Sequence, residues 1–331
     1  MSRSTQNSSC PSVSIGRSTR RWRIVRGGIV RAWDETNVVT LNLADGRRLE
    51  VFDAGPEDGE PLIMNHGTPG SGMIYRGWAG RCAERGIRLV SYSRPGYGQS
   101  TRLEGRSIAH CAQDVAAVAD ALGADRFYVE GHSGGGAPAL ACAALLPDRV
   151  RAAAVIAGAA PKDAEGFDWW AGNAEENLEE FRAAELGGET LRRLLEVWRH
   201  ELLEPTGDDI DESLASLGSL VSATDRAVVT PELSAFHAAR RRHSISTSIW
   251  GWFDDDLSEM KPWGFEIGSI DVPVSIWHGE DDNFVPRSHG EWLMTNIPGA
   301  TRHMLPGEGH WSIKERRLDE VLDVLTDAAR P

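Results

Sequence analysis

The sequence predicts an α/β protein with a mostly parallel central sheet, helices on both faces of that sheet and an inserted helical cap. From residue 37 to residue 160, short apolar runs typical of buried strands alternate with stretches of helical periodicity. The alternation stops over 161–262, an acidic stretch with helical patterning, and it resumes over 263–331. We therefore predict a core formed by 37–160 together with 263–331, and a helical cap, or lid, formed by 161–262.

Each predicted element follows from a local pattern. Residues 38–43 and 48–52 flank an Ala-Asp-Gly turn, which is typical of an antiparallel hairpin. The remaining strands are predicted at 61–64, 87–92, 126–129, 150–156, 272–277 and 301–305. The helices between them are predicted at 72–85, 108–122, 137–146, 287–297 and 313–328. Within the insertion, leucines at helical spacing predict helices over 175–186 and 189–203.

Composition limits the class of partner. The 331-residue chain has 41% hydrophobic and 25% charged residues, as expected of a globular protein with a sizeable core. Its net charge of −14 argues against nucleic acid or an anionic membrane as the main partner. Most of the excess lies in 161–262, which has 22 Asp and Glu against 10 Lys and Arg. We expect a small-molecule substrate, no nucleic-acid or membrane partner, and leave a homodimer open.

The cysteines favour a reducing compartment. Cys10, Cys82, Cys111 and Cys142 form no C-x-x-C pair and show no metal-ligand spacing. Cys111 and Cys142 fall on apolar helix positions, where a buried free thiol is expected. No apolar run approaches the roughly 18 residues of a membrane-spanning helix. We therefore expect a cytoplasmic protein that uses no metal and no other cofactor.

The N-terminal region has a different composition from the rest. Residues 1–33 contain seven Arg and no acidic residue. The pair Arg20-Arg21 resembles a twin-arginine signal, but further arginines interrupt the apolar stretch that should follow it. We interpret 1–36 as a flexible basic tail, with a transit peptide as the alternative.

A candidate nucleophile lies between a predicted strand and a predicted helix. Residues 131–135, Gly-His-Ser-Gly-Gly, have the G-x-S-x-G spacing of a sharp turn that exposes a serine hydroxyl above a sheet. In such a turn the serine takes a positive φ, and side chains at the two flanking positions would collide. The pattern therefore predicts Ser133 as a nucleophile, with glycine required on either side.

The partners of a nucleophilic serine are expected on loops at the carboxyl ends of strands. A serine hydroxyl needs a base, and the base needs an acid that fixes its tautomer. Ligand-binding and reacting groups of an α/β sheet lie outside these strand ends. Two such loops come late in the chain, at 278–286 and at 306–311. They carry Asp282 and His310, which complete the order Ser, Asp, His.

These motifs together resemble the α/β-hydrolase fold family, from about residue 37 to the C-terminus. The matching pieces are 66–70 (His-Gly-Thr-Pro-Gly), 131–135, 279–282 (Gly-Glu-Asp-Asp) with Pro286, and 309–310 (Gly-His). The resemblance implies Ser133 as nucleophile, His310 as general base and acid, and Asp282 as the acid that orients it. It also implies an oxyanion hole formed by the backbone N–H groups of Thr68 and Gly134.

Several alternatives remain beside these assignments. Asp281 is the neighbouring candidate for the acid, and Asp163 corresponds to an earlier position that some family members use. Positions such as His66 are structural or line the pocket in the family. The other histidines are expected to be solvated or in the core: His237, His243, His278, His289 and His303.

Residues 94–98 (Arg-Pro-Gly-Tyr-Gly) resemble the family's loop after its fourth strand, and we interpret them as a structural turn, not a phosphate site.

Aromatic residues supply candidates for the pocket wall. Five of the twelve tryptophans lie within 161–262. We predict that His132, Trp169, Trp170 and Trp311 line the substrate pocket.

The residue at the sharp turn separates activities within the family. Dehalogenases and epoxide hydrolases of this fold carry Asp there, so Ser133 argues against both. The resemblance implies acyl transfer by a carboxylesterase-like enzyme, with a small-molecule carboxylic ester as the default substrate. One alternative is an aminopeptidase like prolyl iminopeptidase, whose substrate amine would bind lid carboxylates among Glu175, Glu176, Glu179 and Glu180. Others are a carbon–carbon bond hydrolase, a cofactor-free oxidative enzyme and a non-catalytic binding protein, although the last typically lacks a triad member.

Overall fold

A computed structural model describes residues 36–204, 214 and 217–328. The basic tail predicted over 1–36, with Cys10, lies outside the described residues apart from Thr36. Eight strands form one sheet: β1 (Asn37–Asn42), β2 (Arg48–Ala54), β3 (Glu60–Asn65), β4 (Ile87–Tyr92), β5 (Phe127–His132), β6 (Val150–Ile156), β7 (Val274–Gly279) and β8 (Thr301–Leu305). Their order across the sheet is β1, β2, β4, β3, β5, β6, β7, β8.

The sheet is mostly parallel, as predicted. β1 and β2 form the expected antiparallel hairpin, in which Val39 lies opposite Val51 and Leu41 opposite Leu49. β2 also runs antiparallel to β4. The pairings among β3 to β8 are all parallel. The carboxyl ends of these six strands therefore meet at one edge of the sheet, where the functional loops were expected.

Helices cover both faces of the sheet, which confirms the predicted fold class. They are α1 (Arg76–Ala83), α2 (His110–Leu122), α3 (Gly136–Leu145), α4 (Glu175–Leu186), α5 (Gly188–Leu203), α6 (Ala223–Arg226), α7 (Pro231–Ile245), α8 (Trp250–Glu259), α9 (Arg287–Asn296) and α10 (Ser312–Asp327). One apolar cluster packs α2, α3 and α9 against residues such as Val129, and it contains the buried free thiols of Cys111 and Cys142. A second cluster packs α1 and α10 against Tyr128 and Trp277 on the opposite face. Successive strand residues alternate between the two clusters, as expected of strands buried on both sides.

Some boundaries differ from the predicted ones. The helix predicted over 72–85 begins only at Arg76, because Gly72 N donates to Ser93 Oγ at 3.1 Å and that stretch lies as a loop against the end of β4. The strand predicted at 126–129 continues to His132. The strand predicted at 272–277 starts after a proline, at Val274, and continues to Gly279.

Residues 161–262 separate β6 from β7 in the chain, and we call them the intervening segment. They form α4 to α8 with a short 3-10 turn, and no strand occurs among the residues of the segment that the structure describes. Leu191, Leu195 and Trp252 form an apolar cluster that also includes Tyr97 of the core. The role of the segment as a cap stays a prediction. Across the described part of the whole chain, no helix has the length and apolar composition needed to cross a membrane.

Candidate active site

Ser133 occupies the sharp turn between β5 and α3. Its φ is 57°, in the left-handed region, and one turn of 3-10 helix leads from it into α3. A Cβ on Gly131 would overlap the backbone of Gly135, as the spacing predicts. A Cβ on Gly135 would instead overlap the carbonyl of Asn65, so the second glycine is required by the neighbouring strand β3. The half-buried Ser133 lines a large cavity at the carboxyl edge of the sheet.

Asp282 and His310 form a buried hydrogen-bonded pair on the loops after β7 and β8. His310 Nδ1 lies 2.8 Å from Asp282 Oδ2 and 3.1 Å from Oδ1. The backbone N–H groups of Phe284 and Val285 each donate to Asp282 Oδ1 at 2.9 Å. The carboxylate is therefore an acceptor on both oxygens, which places the proton of a neutral His310 on Nδ1 and its lone pair on Nε2.

The alternative acids are engaged elsewhere. Asp281 Oδ2 accepts a hydrogen bond from Thr224 Oγ1 at 3.0 Å and so is directed toward the intervening segment. Asp163 is exposed in a turn that follows Pro161. The geometry therefore favours Asp282 over both as the partner of His310.

Ser133 and His310 line the same cavity, with His132 beside them. His132 Nε2 donates to the His310 carbonyl at 2.9 Å, and the two imidazole centroids are 4.8 Å apart. Burial, and then the charge of His310, lower the pKa of His132 well below its ordinary value, so it stays neutral. No hydrogen bond joins Ser133 Oγ to His310 among the described residues. Catalytic hydrogen bonds are commonly long or misaligned until substrate binds.

The two predicted oxyanion donors lie side by side. A Cβ placed on Gly134 would lie 3.2 Å from Thr68 N, and one placed on Gly67 would lie 3.2 Å from Ser133 Cβ. The backbones of Thr68 and Gly134 thus flank the serine. Donors of an oxyanion hole must lie beside the nucleophile, as these two backbones do, and their role in binding an oxyanion stays a prediction.

A buried carboxylate of the intervening segment holds the loop that carries His310. Asp225, in α6, accepts hydrogen bonds from the backbone N–H groups of His310 at 3.1 Å, Trp311 at 2.8 Å and Ser312 at 2.9 Å. Ser222 Oγ donates to it at 2.9 Å. These N–H groups open α10, so Asp225 caps that helix from another part of the chain. No sequence pattern marks the contact of Asp225 with this loop, because the three N–H donors lie more than 80 residues away.

The cavity has a volume of about 620 Å³, and residues of both the core and the intervening segment line it. His132 and Trp311 are part of its wall, as predicted. His237, expected to be a solvated or core residue, also lines the cavity, and its ring stacks on Trp311 at 5.1 Å. Burial, and then the charges of nearby arginines, lower the pKa of His237 to about 3. His237 therefore presents a neutral ring to the cavity.

The prediction that Trp169 and Trp170 line the pocket is wrong for the cavity that the described residues enclose. Trp169 Nε1 donates to the Ala160 carbonyl at 2.9 Å, which fixes the ring in the interior. The Lys162 ammonium lies 4.3 Å from the centroid of the Trp170 ring. The tryptophans of the cavity wall are Trp78, Trp198, Trp252 and Trp311. The abundance of Trp in the segment predicted aromatic walls, but it does not tell which rings face the cavity.

Two arginines of α7 line the cavity, and neither has an acidic partner among the described residues. Arg240 Nε donates to the Ser71 carbonyl at 3.1 Å, and within the described part of the chain no carboxylate forms an ion pair with its guanidinium. Burial lowers the pKa of Arg240 to about 10, which still leaves it charged at neutral pH. Arg241 likewise forms no salt bridge with a described residue. Lys314, which also lines the cavity, is paired with Glu130 at 2.9 Å.

Of the glutamates considered as amine ligands, Glu176, Glu179 and Glu180 line this cavity, whereas Glu175 lines a separate depression. Glu176 accepts hydrogen bonds from Ser219 N at 3.0 Å and Ser219 Oγ at 2.7 Å. Glu180 accepts one from Trp252 Nε1, and burial raises its pKa. Two of the three carboxylates are thus bound to protein groups. Over the described residues, no cluster of three or more His, Cys, Asp or Glu has the arrangement of a metal site.

The family of the chain follows from sequence comparison. Residues 60–316 match the family described as alpha/beta hydrolase fold, and the chain belongs to this family. The match spans the sheet from β3 onward, the intervening segment and both loops that carry Asp282 and His310.

Individual relatives differ in their reactions. The chain is 30% identical over 276 residues to a 2-hydroxy-6-oxo-6-phenylhexa-2,4-dienoate hydrolase of Burkholderia cepacia, across 80% of this chain and 85% of that protein. It is 28% identical over 249 residues to a non-heme chloroperoxidase of Streptomyces lividans, across 75% and 83% of the two chains. An enol-lactonase from Burkholderia xenovorans has the same fold, with a TM-score of 0.64 at 20% identity, across 87% of this chain and 99% of that one. Together the relatives support hydrolase chemistry and do not select one scissile bond.

Proposed function

We propose that the chain is a serine hydrolase that cleaves a small-molecule carboxylic ester through an acyl-enzyme on Ser133. The supporting observation is the buried hydrogen-bonded pair of Asp282 and His310, of which His310 lines the same cavity as Ser133. An imidazole whose tautomer is fixed by a carboxylate is the base that a serine hydroxyl needs.

In the proposed first half-reaction, Ser133 Oγ attacks the ester carbonyl while His310 Nε2 takes the hydroxyl proton. The N–H groups of Thr68 and Gly134 donate to the oxyanion. When the intermediate collapses, the C–O bond breaks and His310 gives its proton to the leaving oxygen, which departs as an alcohol. In the second half-reaction His310 takes a proton from water, the water oxygen attacks the acyl carbon, and the proton returns to Ser133 as the acid leaves.

We further propose that the substrate carries a carboxylate. The guanidinium of Arg240 is anchored through Nε to Ser71, and its terminal nitrogens form no hydrogen bond with a described residue. A guanidinium binds a carboxylate through two parallel hydrogen bonds, which fits a free pair of terminal nitrogens in a cavity wall. Arg241 adds a second positive charge beside it. The substrate carboxylate would bind at Arg240 while the ester lies at Ser133.

Carbon–carbon bond hydrolysis is the second candidate. The Burkholderia cepacia relative is named for a dienoate, which is a carboxylate. Arg240, which forms no ion pair with a described residue, suits such a substrate. Attack of Ser133 on a ketone carbonyl would then break a C–C bond, and the proton would be delivered to a carbon of the leaving group.

A fluorophosphonate probe tests the nucleophile. Wild-type protein is expected to label on Ser133, and Ser133→Ala to lose the labelling. Ser246→Ala, which changes an exposed serine, is the matched control and keeps it. His310→Ala is expected to lose labelling with a melting temperature near that of wild type. Equal labelling of wild type and Ser133→Ala contradicts both candidate functions.

A substrate panel tests the bond and the charge. It compares p-nitrophenyl butyrate, mono-p-nitrophenyl succinate, 2-hydroxy-6-oxo-6-phenylhexa-2,4-dienoate and proline p-nitroanilide. Turnover of the succinate ester is expected to exceed that of the neutral ester, and Arg240→Gln to raise KM for the succinate ester alone. Arg242→Gln, an exposed neighbour, is the control. Turnover of the dienoate without the esters favours C–C hydrolysis, and turnover of the anilide alone favours an aminopeptidase.

A further inference from the structure

The loop after β4 contacts the predicted oxyanion loop through a buried arginine. Arg94 is fully buried. Its Nη1 donates to the His66 carbonyl. Its Nη2 has three acceptors, the Gly67 carbonyl at 3.2 Å, Thr68 Oγ1 at 3.0 Å and Asp255 Oδ2 at 2.6 Å, so its two hydrogens are shared among them. One side chain therefore contacts three consecutive residues of the loop that supplies an oxyanion donor.

The His66 side chain donates a second hydrogen bond to the Gly67 carbonyl. The backbone N–H of Arg94 donates to His66 Nε2 at 3.0 Å, so a neutral His66 carries its proton on Nδ1. That Nδ1 lies 2.8 Å from the Gly67 carbonyl oxygen and donates to it. Burial, and then the charge of Arg94, lower the pKa of His66 well below its ordinary value, which keeps the ring neutral. The Gly67 carbonyl thus accepts two hydrogen bonds.

The Gly67 carbonyl and the Thr68 N–H belong to one peptide unit. This peptide is trans, so its N–H points away from its carbonyl. With the carbonyl turned toward Arg94 and His66, the Thr68 N–H points away from both of them. Gly134 lies close to this nitrogen, since a Cβ built on Gly134 would be 3.2 Å from Thr68 N. Hydrogen bonds in series polarise one another, so a carbonyl that accepts two makes its own peptide N–H a stronger donor.

Asp255 of α8 holds the arginine in this position. Its Oδ2 accepts hydrogen bonds from Arg94 Nη2 at 2.6 Å, Thr68 Oγ1 at 2.8 Å and Tyr97 OH at 2.7 Å. Its Oδ1 accepts one from Arg106 Nη2 at 2.6 Å. Burial would raise the pKa of Asp255, but the charges of Arg106 and Arg94 lower it well below its ordinary value. The carboxylate is therefore ionised, and it fixes the orientation of the guanidinium.

We infer that Arg94 is a positioning residue for the oxyanion hole, because it orients and polarises the Gly67–Thr68 peptide for donation to the oxyanion. The inference rests on the proposed serine-hydrolase function. It gives a role to residues 94–98, whose sequence indicates only a turn.

Two lysine variants separate positioning from stability. Arg94→Lys keeps a positive charge beside Asp255, but a single ammonium cannot replace a planar fork that contacts Asp255 and two carbonyls at once. Arg106→Lys is the matched control, because Arg106 pairs with the same Asp255 and otherwise donates to the Gly251 carbonyl, away from the oxyanion loop. For each full-length variant, the measurements are the rate constant of fluorophosphonate labelling, kcat and KM for p-nitrophenyl butyrate, and the melting temperature.

Arg94→Lys is expected to lower kcat and the labelling rate constant together by about tenfold or more, since removal of a whole oxyanion donor costs about 100- to 1,000-fold. KM is expected to change by less than about twofold, because the donor acts in the transition state. Arg106→Lys is expected to lower the melting temperature without this loss of kcat. Equal losses of kcat in the two variants, or a lower melting temperature alone in Arg94→Lys, overturn the inference.

The amide proton of Thr68 provides a readout that needs no turnover. Its ¹H chemical shift is expected to move upfield in Arg94→Lys and to stay near the wild-type value in Arg106→Lys. If wild-type protein does not label on Ser133, the proposed function fails, while the shift still decides whether Arg94 polarises this peptide. An unchanged Thr68 shift in Arg94→Lys overturns the inference.

Discussion

Two buried carboxylates of the intervening segment, Asp225 and Asp255, lie on opposite sides of the candidate site, and the groups that surround them differ. Asp225 meets three backbone N–H groups and the hydroxyl of Ser222 on the side of His310. Asp255 meets two guanidinium groups, from Arg94 and Arg106, on the side of the oxyanion loop. The first charge is balanced by partial charges at a helix N-terminus, and the second by full charges.

This difference decides what the loss of each carboxylate leaves behind. Without Asp225, the interior holds unpaired N–H groups, which are neutral. Without Asp255, it holds two cations with no counter-charge, which is far more costly in a medium of low dielectric constant. The oxyanion side is therefore expected to depend on its carboxylate more strongly than the side of His310.

Asp255→Asn is expected to have the largest effect. Removal of one partner from a buried ion pair costs about 3–5 kcal/mol of the free energy of unfolding. Urea denaturation followed by tryptophan fluorescence measures it, with the exposed Asp163→Asn as control, expected within about 0.5 kcal/mol of wild type. A loss for Asp255→Asn no larger than that for Asp225→Asn would break the comparison.

Asp225→Asn is expected to cost less, about 1–3 kcal/mol, because the amide nitrogen replaces one acceptor oxygen and leaves a buried N–H unpaired. Since the loop of His310 loses part of its support, kcat is also expected to fall. Urea denaturation and steady-state kinetics on the same preparation measure the two effects. An unchanged kcat together with the loss of stability would limit Asp225 to a structural role.

The pH dependence of stability sharpens the comparison further. Burial, and then the charge of Asp255, raise the pKa of Glu259 to about 8, against about 4.3 in an unfolded chain. The folded state thus binds the extra proton, so the free energy of unfolding falls as pH rises from about 4.3 to about 8. Glu259→Gln is expected to make this decline in the urea midpoint shallower between pH 5 and pH 8, while other buried carboxyls with raised pKa values, such as Glu180, keep their share of it. A slope equal to that of wild type contradicts it.

The opposite dependence belongs to Asp255 itself. Because its pKa is lowered, its contribution to stability is present above the ordinary carboxyl pKa of about 3.9 and is lost as pH falls below that value. The two carboxylates of α8 lie four residues apart and are expected to respond to pH in opposite senses.

Ser222→Ala is expected to have the smallest effect. It removes the hydrogen bond that Ser222 Oγ donates to the Asp225 carboxylate and the one that it accepts from Asp225 N at 3.1 Å, and it leaves the three backbone N–H groups bound, at a cost of about 0.5–2 kcal/mol. Urea denaturation measures this cost, and kcat is expected to stay at the wild-type value. A fall in kcat as large as that in Asp225→Asn would show that the Ser222 hydroxyl, and not the backbone N–H contacts, determines the position of the loop that carries His310.

The sequence was most informative where structure depends on local patterns. The turn at Ser133 and the loops of Asp282 and His310 follow directly from strand ends, so the alternation of strands and helices predicted their shared edge. The start of α1 was missed, because a contact of Gly72 with a side chain at the end of β4 competes with the helix. The need for glycine at position 135 was predicted, but its cause was not: a side chain there would overlap the Asn65 carbonyl of the neighbouring strand β3, not the residue at position 131.

Contacts distant in sequence were beyond prediction. The local sequence around Arg94 predicts only a turn, because its partner Asp255 is 161 residues away in the chain. Asp225 and Asp255 are two acids among many in an acidic segment, and nothing local distinguishes them from solvated neighbours. Whether Trp169, which lies in a turn, or Trp252, which lies on α8, faces the cavity likewise depends on long-range packing, and composition does not contain that information.

The several bonds between the intervening segment and the loops after β7 and β8 bear on protein engineering. Asn177 Nδ2 donates to the Phe284 carbonyl, Asn283 Nδ2 donates to the Ser219 carbonyl at 3.0 Å, and Thr224 Oγ1 donates to Asp281. A graft that exchanges residues 161–262 for the equivalent stretch of a relative, in order to transplant specificity, would remove one partner from each bond. Such chimeras need co-designed loops at 280–286 and 308–312, and libraries built by point substitution along the cavity wall avoid that requirement.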